Sequence, residues 1–372
     1  MKYILTVVII VITYSMCGNL FSKSKLKETK EVKKLLKKLE ESKSSERLVV
    51  LRTIYQKNLI DYEEVKHALR RITMNDHETS EHRVEALSIL NDVGYLNDNK
   101  NVLLSIIEND DELDLELKCN AVLILCSLSN VSKDNIFLVR SIFESTSQSP
   151  KLRKYCAMAI GQMRRRKDLS WFMRVLEDEE NHVALEGLCA GIVNYKSHIP
   201  KGLLDVLLDK FWDTSCNAQI EIIKVLRASN NPNIIQALYE LYDNVRRENN
   251  CNPQITSLIM ECLIDTCKAS KTATQYMTSV EILLKALRDP GNSFLINKIV
   301  EFIIQHGNYN LKAIRQLLAD DNKELRLNII YITGYLRDKE ALPQLKSMLK
   351  SSEDEYQKKM IKQAINLIEN TI

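Results

Sequence analysis

Apolar residues fall at helical spacing from Glu324 to Lys350, ELRLNIIYITGYLRDKEALPQLKSMLK. Leu325, Ile329, Ile332 and Leu336 lie on one stripe of a 3.6-residue helix. A polar turn from Arg337 to Glu340 follows. Ala341, Leu342, Leu345, Met348 and Leu349 then give a second helix its own apolar face, with Pro343 in the first turn, where a missing N–H costs little. Neither helix can bury its face alone, so the stretch predicts a hairpin that has to stack on a neighbour.

The same pattern recurs along the chain. Its register can be followed by the residue pair at the centre of each hairpin's first helix: Val50-Leu51, Ala86-Leu87, Ala121-Val122, Cys156-Ala157, Gly187-Leu188, Ile222-Ile223, Leu258-Ile259, Ile299-Val300, Ile329-Ile330 and Met360-Ile361. Successive pairs stand about 30 to 41 residues apart, which is the period of a helical solenoid. An insertion is expected near Cys267 to Ser279, with a tight repeat after it. The pattern predicts about nine hairpins and a terminal helix. Upstream, Val32, Leu35, Leu36 and Leu39 share one face of TKEVKKLLKKLEE, residues 29–41, with lysines around the rest. Its alignment with the carboxyl-terminal LPQLKSMLKSSEDEYQKKMIKQAI makes it a half-repeat capping the array. A basic amphipathic helix lying on an anionic membrane is the alternative. No alternating strand pattern bounded by turn signals is visible, so the fold class is all-α, an α-solenoid over residues 29–372.

Leu325-Arg326, Ile329-Ile330, Thr333-Gly334 and Ala341-Leu342-Pro343 resemble the HEAT repeat of the short bacterial, PBS-lyase-like type, V-R-x-x-A-A-x-x-L-G-x-L, a turn, then A-L-P-x-L. The resemblance implies an armadillo-like helical array used mostly as a protein-binding surface. Gly161 and Gly334 stand in the family's glycine slot. The family's arginine slot holds Arg47, Arg83, Arg153 and Arg326, with Lys118 in one repeat. Ala184, Gln219, Ile255 and Ile296 fill it in others, which implies less regular middle-to-late repeats and a local change of curvature.

Composition changes this picture little. The chain has 372 residues, more than one compact core usually fills, and few Gly or Pro residues. A net charge of +3, with Lys and Glu interleaved, gives no argument for nucleic acid. Nine cysteines are present without a C-x-x-C pair. Cys126, Cys156, Cys189 and Cys262 lie in apolar helical runs and read as small core residues, whereas Cys216 and Cys251 precede helices and are expected to be exposed. So many free thiols suggest a reducing compartment, or an envelope without strong oxidation.

The N-terminus adds a membrane. MKYILTVVIIVITYSMCGN has Lys2 and an apolar run of signal-peptide length, followed by Tyr14-Ser15-Met16-Cys17, which resembles a lipobox. Residues 1–17 therefore read as a signal peptide or membrane anchor, 18–28 as a charged tether, and Cys17 as the lipidation site of a lipoprotein. Tyr14 and Met16 depart from the lipobox pattern. An uncleaved anchor and simple cleavage are the alternatives. Lys23, Lys25, Lys27 and Lys30 resist translocation, so a cytoplasmic solenoid on an N-terminal anchor stands beside a bacterial envelope location.

No enzyme signature is present: there is no phosphate loop, G-x-G-x-x-G, G-x-S-x-G or HExxH. His77 and His82 are one residue too far apart to converge on a helix, and His67, His182, His198 and His306 are scattered as surface residues. No catalytic residue, metal, cofactor, small-molecule substrate or nucleic-acid partner is expected. Asp110-Asp111, Glu179-Glu180 and Asp320-Asp321 stand at the ends of second helices, where acids would cap or precede the next helix. Arg164, Arg165, Arg166 and Lys167 form a cationic turn that could hold an acidic partner, with Trp171 just beyond. Trp212, Tyr239 and Tyr242 sit on second helices, which the HEAT resemblance puts on the concave face. Together these eight residues are the expected contacts of a protein or peptide partner. The functional reading is a non-enzymatic, membrane-tethered scaffold. Its rival is a HEAT-type enzyme, a lyase or nucleic-acid base-excision enzyme, which a buried carboxylate in an aromatic cleft would favour.

Overall fold

A computed structural model describes residues 29–109, 114–247, 253–289 and 295–370. Cys17 with the rest of the signal and tether, Asp110, Asp111 and Cys251 lie outside the described residues. The chain divides into two compact units, Met1–Met163 and Arg164–Ile372, and each is described by itself.

The first unit contains α1 (29–41), α2 (Ser44–Gln56), α3 (Glu63–Met74), α4 (Ser80–Asp92), the single turn α5 (Tyr95–Asp98), α6 (Lys100–Glu108), α7 (Leu115–Ser127), α8 (Lys133–Glu144) and α9 (Pro150–Gln162). The second contains α10 (Leu169–Asp178), α11 (His182–Ile192), α12 (Lys201–Lys210), α13 (Cys216–Ser229), α14 (Ile235–Arg247), α15 (Pro253–Lys268), α16 (Ala273–Ala286), α17 (Ile296–His306), α18 (Leu311–Gln316), α19 (Lys323–Tyr335), α20 (Leu342–Ser351) and α21 (Glu355–Glu369). Among the described residues there is no strand. Each of the ten pairs read from the sequence falls inside a first helix: α2, α4, α7, α9, α11, α13, α15, α17, α19 and α21. Nearly every member of those pairs is buried, because that position faces both the partner helix and the next hairpin. Packing runs between neighbours, α4 on α7 and α7 on α9 in the first unit, then α11 on α13, α13 on α15, and so on to α19 on α21.

In α1, Val32 and Leu39 are buried, the Leu39 carbonyl accepts from Arg47 Nε at 3.1 Å, and Glu31 pairs with Lys57. Its apolar face is covered by the array, as a cap requires. Around the insertion expected near Cys267 the helices are long: α15 runs for 16 residues and α16 for 14, joined at a capping box between Thr272 and Gln275. The tight repeat that follows has a shortened second helix, α18, of six residues.

Three features recur in the closing of the hairpins. The first is the arginine slot. Arg83 Nε donates to the Thr73 carbonyl at 2.8 Å, Arg153 Nε to the Phe143 carbonyl at 2.6 Å, and Arg326 to the Asp320 carbonyl at 2.5 Å. Each satisfies a carbonyl that the preceding second helix leaves unpaired at its C-terminal end. Gln219 does the same for Phe211 at 3.0 Å, whereas Ala184, Ile255 and Ile296 have no donor to offer. Arg47 and Arg83 continue outward to Glu78 and Asp114, the acids just before the next first helix.

The second feature is a left-handed residue in the turn. Asn58, Gly94, Arg164, Asn230 and Arg337 have φ between 50° and 71° and stand at one spacing past Val50, Ala86, Cys156, Ile222 and Ile329, while Lys196 stands one residue further past Gly187. Only Gly enters this region without a Cβ penalty, and Asn tolerates it. Arg337→Gly is therefore expected to stabilise the terminal hairpin by about 1 kcal/mol, read as a higher midpoint in urea unfolding. An unchanged or lower midpoint would mean that the arginine side chain contributes more than its backbone costs.

Close approach of first helices is the third. A Cβ on Gly334 would stand 2.9 Å from Cα of Ala364 in α21, which explains the glycine there. Exposed faces of first helices are laced by ion pairs across repeats, including Lys151–Glu116 at 2.6 Å and Arg227–Asp265 at 2.5 Å.

Candidate functional site

The cationic turn begins with Arg164 in the left-handed conformation. Arg165 turns inward and makes a bidentate pair with Asp168, both bonds 2.8 Å. Asp168 is fully buried, so Arg165 neutralises a core carboxylate. Arg164, Arg166 and Lys167 are exposed.

The four aromatic residues separate in the same way. Trp171 is 5 % exposed and packs edge-on against Phe172 at 4.9 Å. Tyr242 is 2 % exposed, and its hydroxyl donates to Asp289. Tyr239 is half-buried beneath Lys285, whose Nζ lies 6.0 Å from the ring centre. Trp212 alone of the four is exposed, at 40 %. Its ring stands edge-on to fully buried Phe211 at 5.5 Å, which holds it in place. A second-helix aromatic seals a repeat junction when it points at the next hairpin, and the apolar stripe by itself does not distinguish the two directions.

Trp212 stands at the end of a groove of about 430 Å³ between α12 and α14, which Asp205, Leu208, Asp209, Glu240 and Asn244 also line. Beside it, about 560 Å³ opens between the end of α10 and α12, lined by Glu177, Glu180, His182, Asp209 and Asp213. Asp209 stands on the ridge between the two. Asp205 and Asp209 share one face of α12, while Trp212, expected on a second helix, and Asp213 stand in the turn just past its end; their spacing was the available signal, hidden by the balance of charges over the whole chain.

A further groove, about 440 Å³, lies between α19 and α21. Tyr331 and Tyr335 stand in it with ring centres 4.5 Å apart and are 38 % and 48 % exposed. A hydrogen bond to Tyr335 raises the Tyr331 phenol above its usual pKa. Met360 and Leu367 complete the apolar wall. Tyr276, on α16, stacks on His306 at 4.3 Å and on Tyr309 at 5.3 Å, and burial lowers the His306 pKa.

Buried carboxylates are held by structural partners. Asp114 accepts from Arg83 and from Ser80 at 2.8 Å. Asp338 lies 3.4 Å from Arg315 and accepts from the Glu340 backbone at 3.1 Å. Burial raises the Asp338 pKa, and the guanidinium opposes the shift. Glu179 and Asp320 precede the next helix without themselves capping it. They accept from the Asn181 and Asn322 backbones, and those asparagines cap α11 and α19. His82 is buried, with Nδ1 3.0 Å from Glu78. Among the described residues, no group of His, Cys, Asp and Glu is placed to hold a metal ion. Among them, too, no helix is long and apolar enough to cross a membrane.

These repeats define an all-helical solenoid, with exposed Trp212, Tyr331 and Tyr335 at grooves between adjacent helices. The fold is similar to a chain in a solved structure of Kap95p with RanGDP, in which Kap95p binding induces the switch loops of RanGDP to adopt the GTP-bound conformation. The match has a TM-score of 0.55 at 13 % identity and covers 92 % of this chain and 51 % of the other, so the chain spans about half the length of that neighbour. No protein-family model and no curated protein sequence matches.

Proposed function

We propose that this protein is a non-enzymatic scaffold, tethered to a bacterial membrane through its N-terminus, that holds a protein or peptide on its helical surface. The observation that carries the reading is Trp212, a large aromatic ring left in solvent, held by Phe211 and placed at a groove between two second helices. Rigid exposed aromatics of this kind are anchors for partners. The likeness to a chain from a complex of Kap95p with RanGDP supports a protein-binding use of the fold. Arg164, Arg166 and Lys167 give the same scaffold a cationic edge for an acidic stretch of its partner. The pairing of Asp114, Asp168 and Asp338 with arginines speaks against the enzyme reading, in which one of them would stand in an aromatic cleft.

Tethering by acylated Cys17 makes a separate prediction. Cys17→Ala should leave a precursor about 2 kDa heavier and abolish metabolic labelling with a fatty-acid analogue. Unchanged mass without label in either protein would mean an uncleaved anchor. Protease added to spheroplasts then assigns the side: digestion means the envelope, and protection means a cytoplasmic solenoid. The scaffold reading itself is tested by crosslinking the intact protein in membranes. One protein should be recovered from the wild type and lost from Trp212→Ala. Recovery that is indifferent to Trp212 and to Arg164, Arg166 and Lys167 would overturn it.

A further inference from the structure

The face formed by α10, α12 and α14 gathers acidic side chains at two adjoining grooves. Glu177, Glu180, Asp205, Asp209, Asp213 and Glu240 line its two grooves, and all six are exposed. Lys210, which lines the same groove, donates to the Glu179 backbone carbonyl at 3.0 Å and so belongs to the wall. The arginines at the end of α14 are engaged elsewhere, Arg246 and Arg247 with Asp243, and Arg246 also with Asp289. First-helix acids are treated differently: Glu261 and Asp265 both face Arg227.

This placement is unfavourable for the helices themselves. Asp205 and Asp209 are like charges one turn apart, and Asp209 and Asp213 stand at the negative end of the α12 dipole. The carbonyls that end α12 and the carboxylates beside them therefore add to one negative field, which a bound cation would relieve. Trp212 supplies a flat apolar surface at the same place, with half-buried Leu208 below it. A guanidinium laid over the indole could reach the carboxylates in a bidentate pair.

We infer that the α10–α12–α14 face is a docking groove for a basic segment of a partner protein, in which an arginine or an apolar side chain packs on Trp212 while neighbouring Arg or Lys residues meet Asp205, Asp209 and Glu240. The inference rests on the scaffold reading and specifies the chemistry of its partner.

The test uses the full chain in a neutral detergent and a short fluorescein-labelled peptide of Arg and Leu, with the Glu and Leu peptide of the same length as its control. The Arg peptide should bind and the Glu peptide should not. Asp205→Asn with Asp209→Asn should weaken binding about tenfold at 0.1 M salt and less at 1 M, where the Debye length falls to about 3 Å. Trp212→Ala should weaken it about tenfold at both salts, the loss expected of a packed anchor. Glu324→Gln with Glu353→Gln removes the same charge elsewhere and should change little. Equal losses from the two charge-removing pairs, or no loss from Trp212→Ala, would overturn the groove. Changing Lys23, Lys25, Lys27 and Lys30 to Ser should leave peptide affinity unchanged. A rise would mean that the chain's own tether fills the groove, and the partner proposal would fall. If the membrane crosslinking still recovers a partner while the Arg peptide fails to bind, the groove chemistry is wrong and the scaffold reading stands. Peptide binding without a recovered partner would keep the groove chemistry and overturn the scaffold reading.

Discussion

A chain ended at Asp321 is expected to stay folded and helical, and to aggregate. The deleted α19, α20 and α21 contact one another and the hairpin of α17 and α18, with no core shared further away. In an array of this kind, stability is close to a sum of repeat and neighbour terms, so removing the last members leaves the others intact. The deletion also uncovers what α19 covers. Leu336 packs against the site of Gly307, and Ile314 and Leu318 are buried beside it. Circular dichroism should lose helix only in proportion to the residues removed, while light scattering shows association. Collapse of the whole helical signal would mean a single cooperative core, and the repeat description would fail.

Arg83→Met should destabilise the first unit by about 3–5 kcal/mol, the range for breaking a buried ion pair on one side. Arg83 is 3 % exposed. Its loss leaves the Thr73 carbonyl without its donor and Asp114 as a buried charge that keeps Ser80 but no cation. Urea unfolding measures the loss. Asp114→Leu added to Arg83→Met should recover most of it, because the orphaned charge is then gone. Arg52→Met is the surface comparison. Its partner Glu85 is 3.3 Å away and the arginine side chain is 58 % exposed, so about 1 kcal/mol or less is expected. Similar losses from the two arginines would mean that the buried slot contributes no more than an exposed pair.

The contrast between these arginines explains what could be read in the sequence. Register was legible because it depends on small or apolar pairs such as Ala121-Val122 and Cys156-Ala157, whose burial follows from spacing alone. The arginine slot was visible as a pattern, but its partner is a backbone carbonyl, which carries no residue identity. Trp171 stands at the start of its second helix and Trp212 follows the end of another, and the sequence does not say that the first is covered and the second bare. The acid groove draws on three helices from Glu177 to Asn244. Its members are near in space because consecutive second helices lie side by side.

The core cysteines give four of the repeats a stopwatch of their own. Burial pushes the thiol of Cys119 up to about 11 and those of Cys262 and Cys267 up to about 12, and it raises Cys156 and Cys189 as well. Alkylating reagents attack the thiolate, so a closed repeat is almost inert and an opened one reacts at the rate of an ordinary cysteine. Cys216 is exposed at the start of α13 and calibrates the reagent. Peptide mass spectrometry of pulse-labelled protein would then time the opening of α7, α9, α11 and α15 one by one, without an engineered probe.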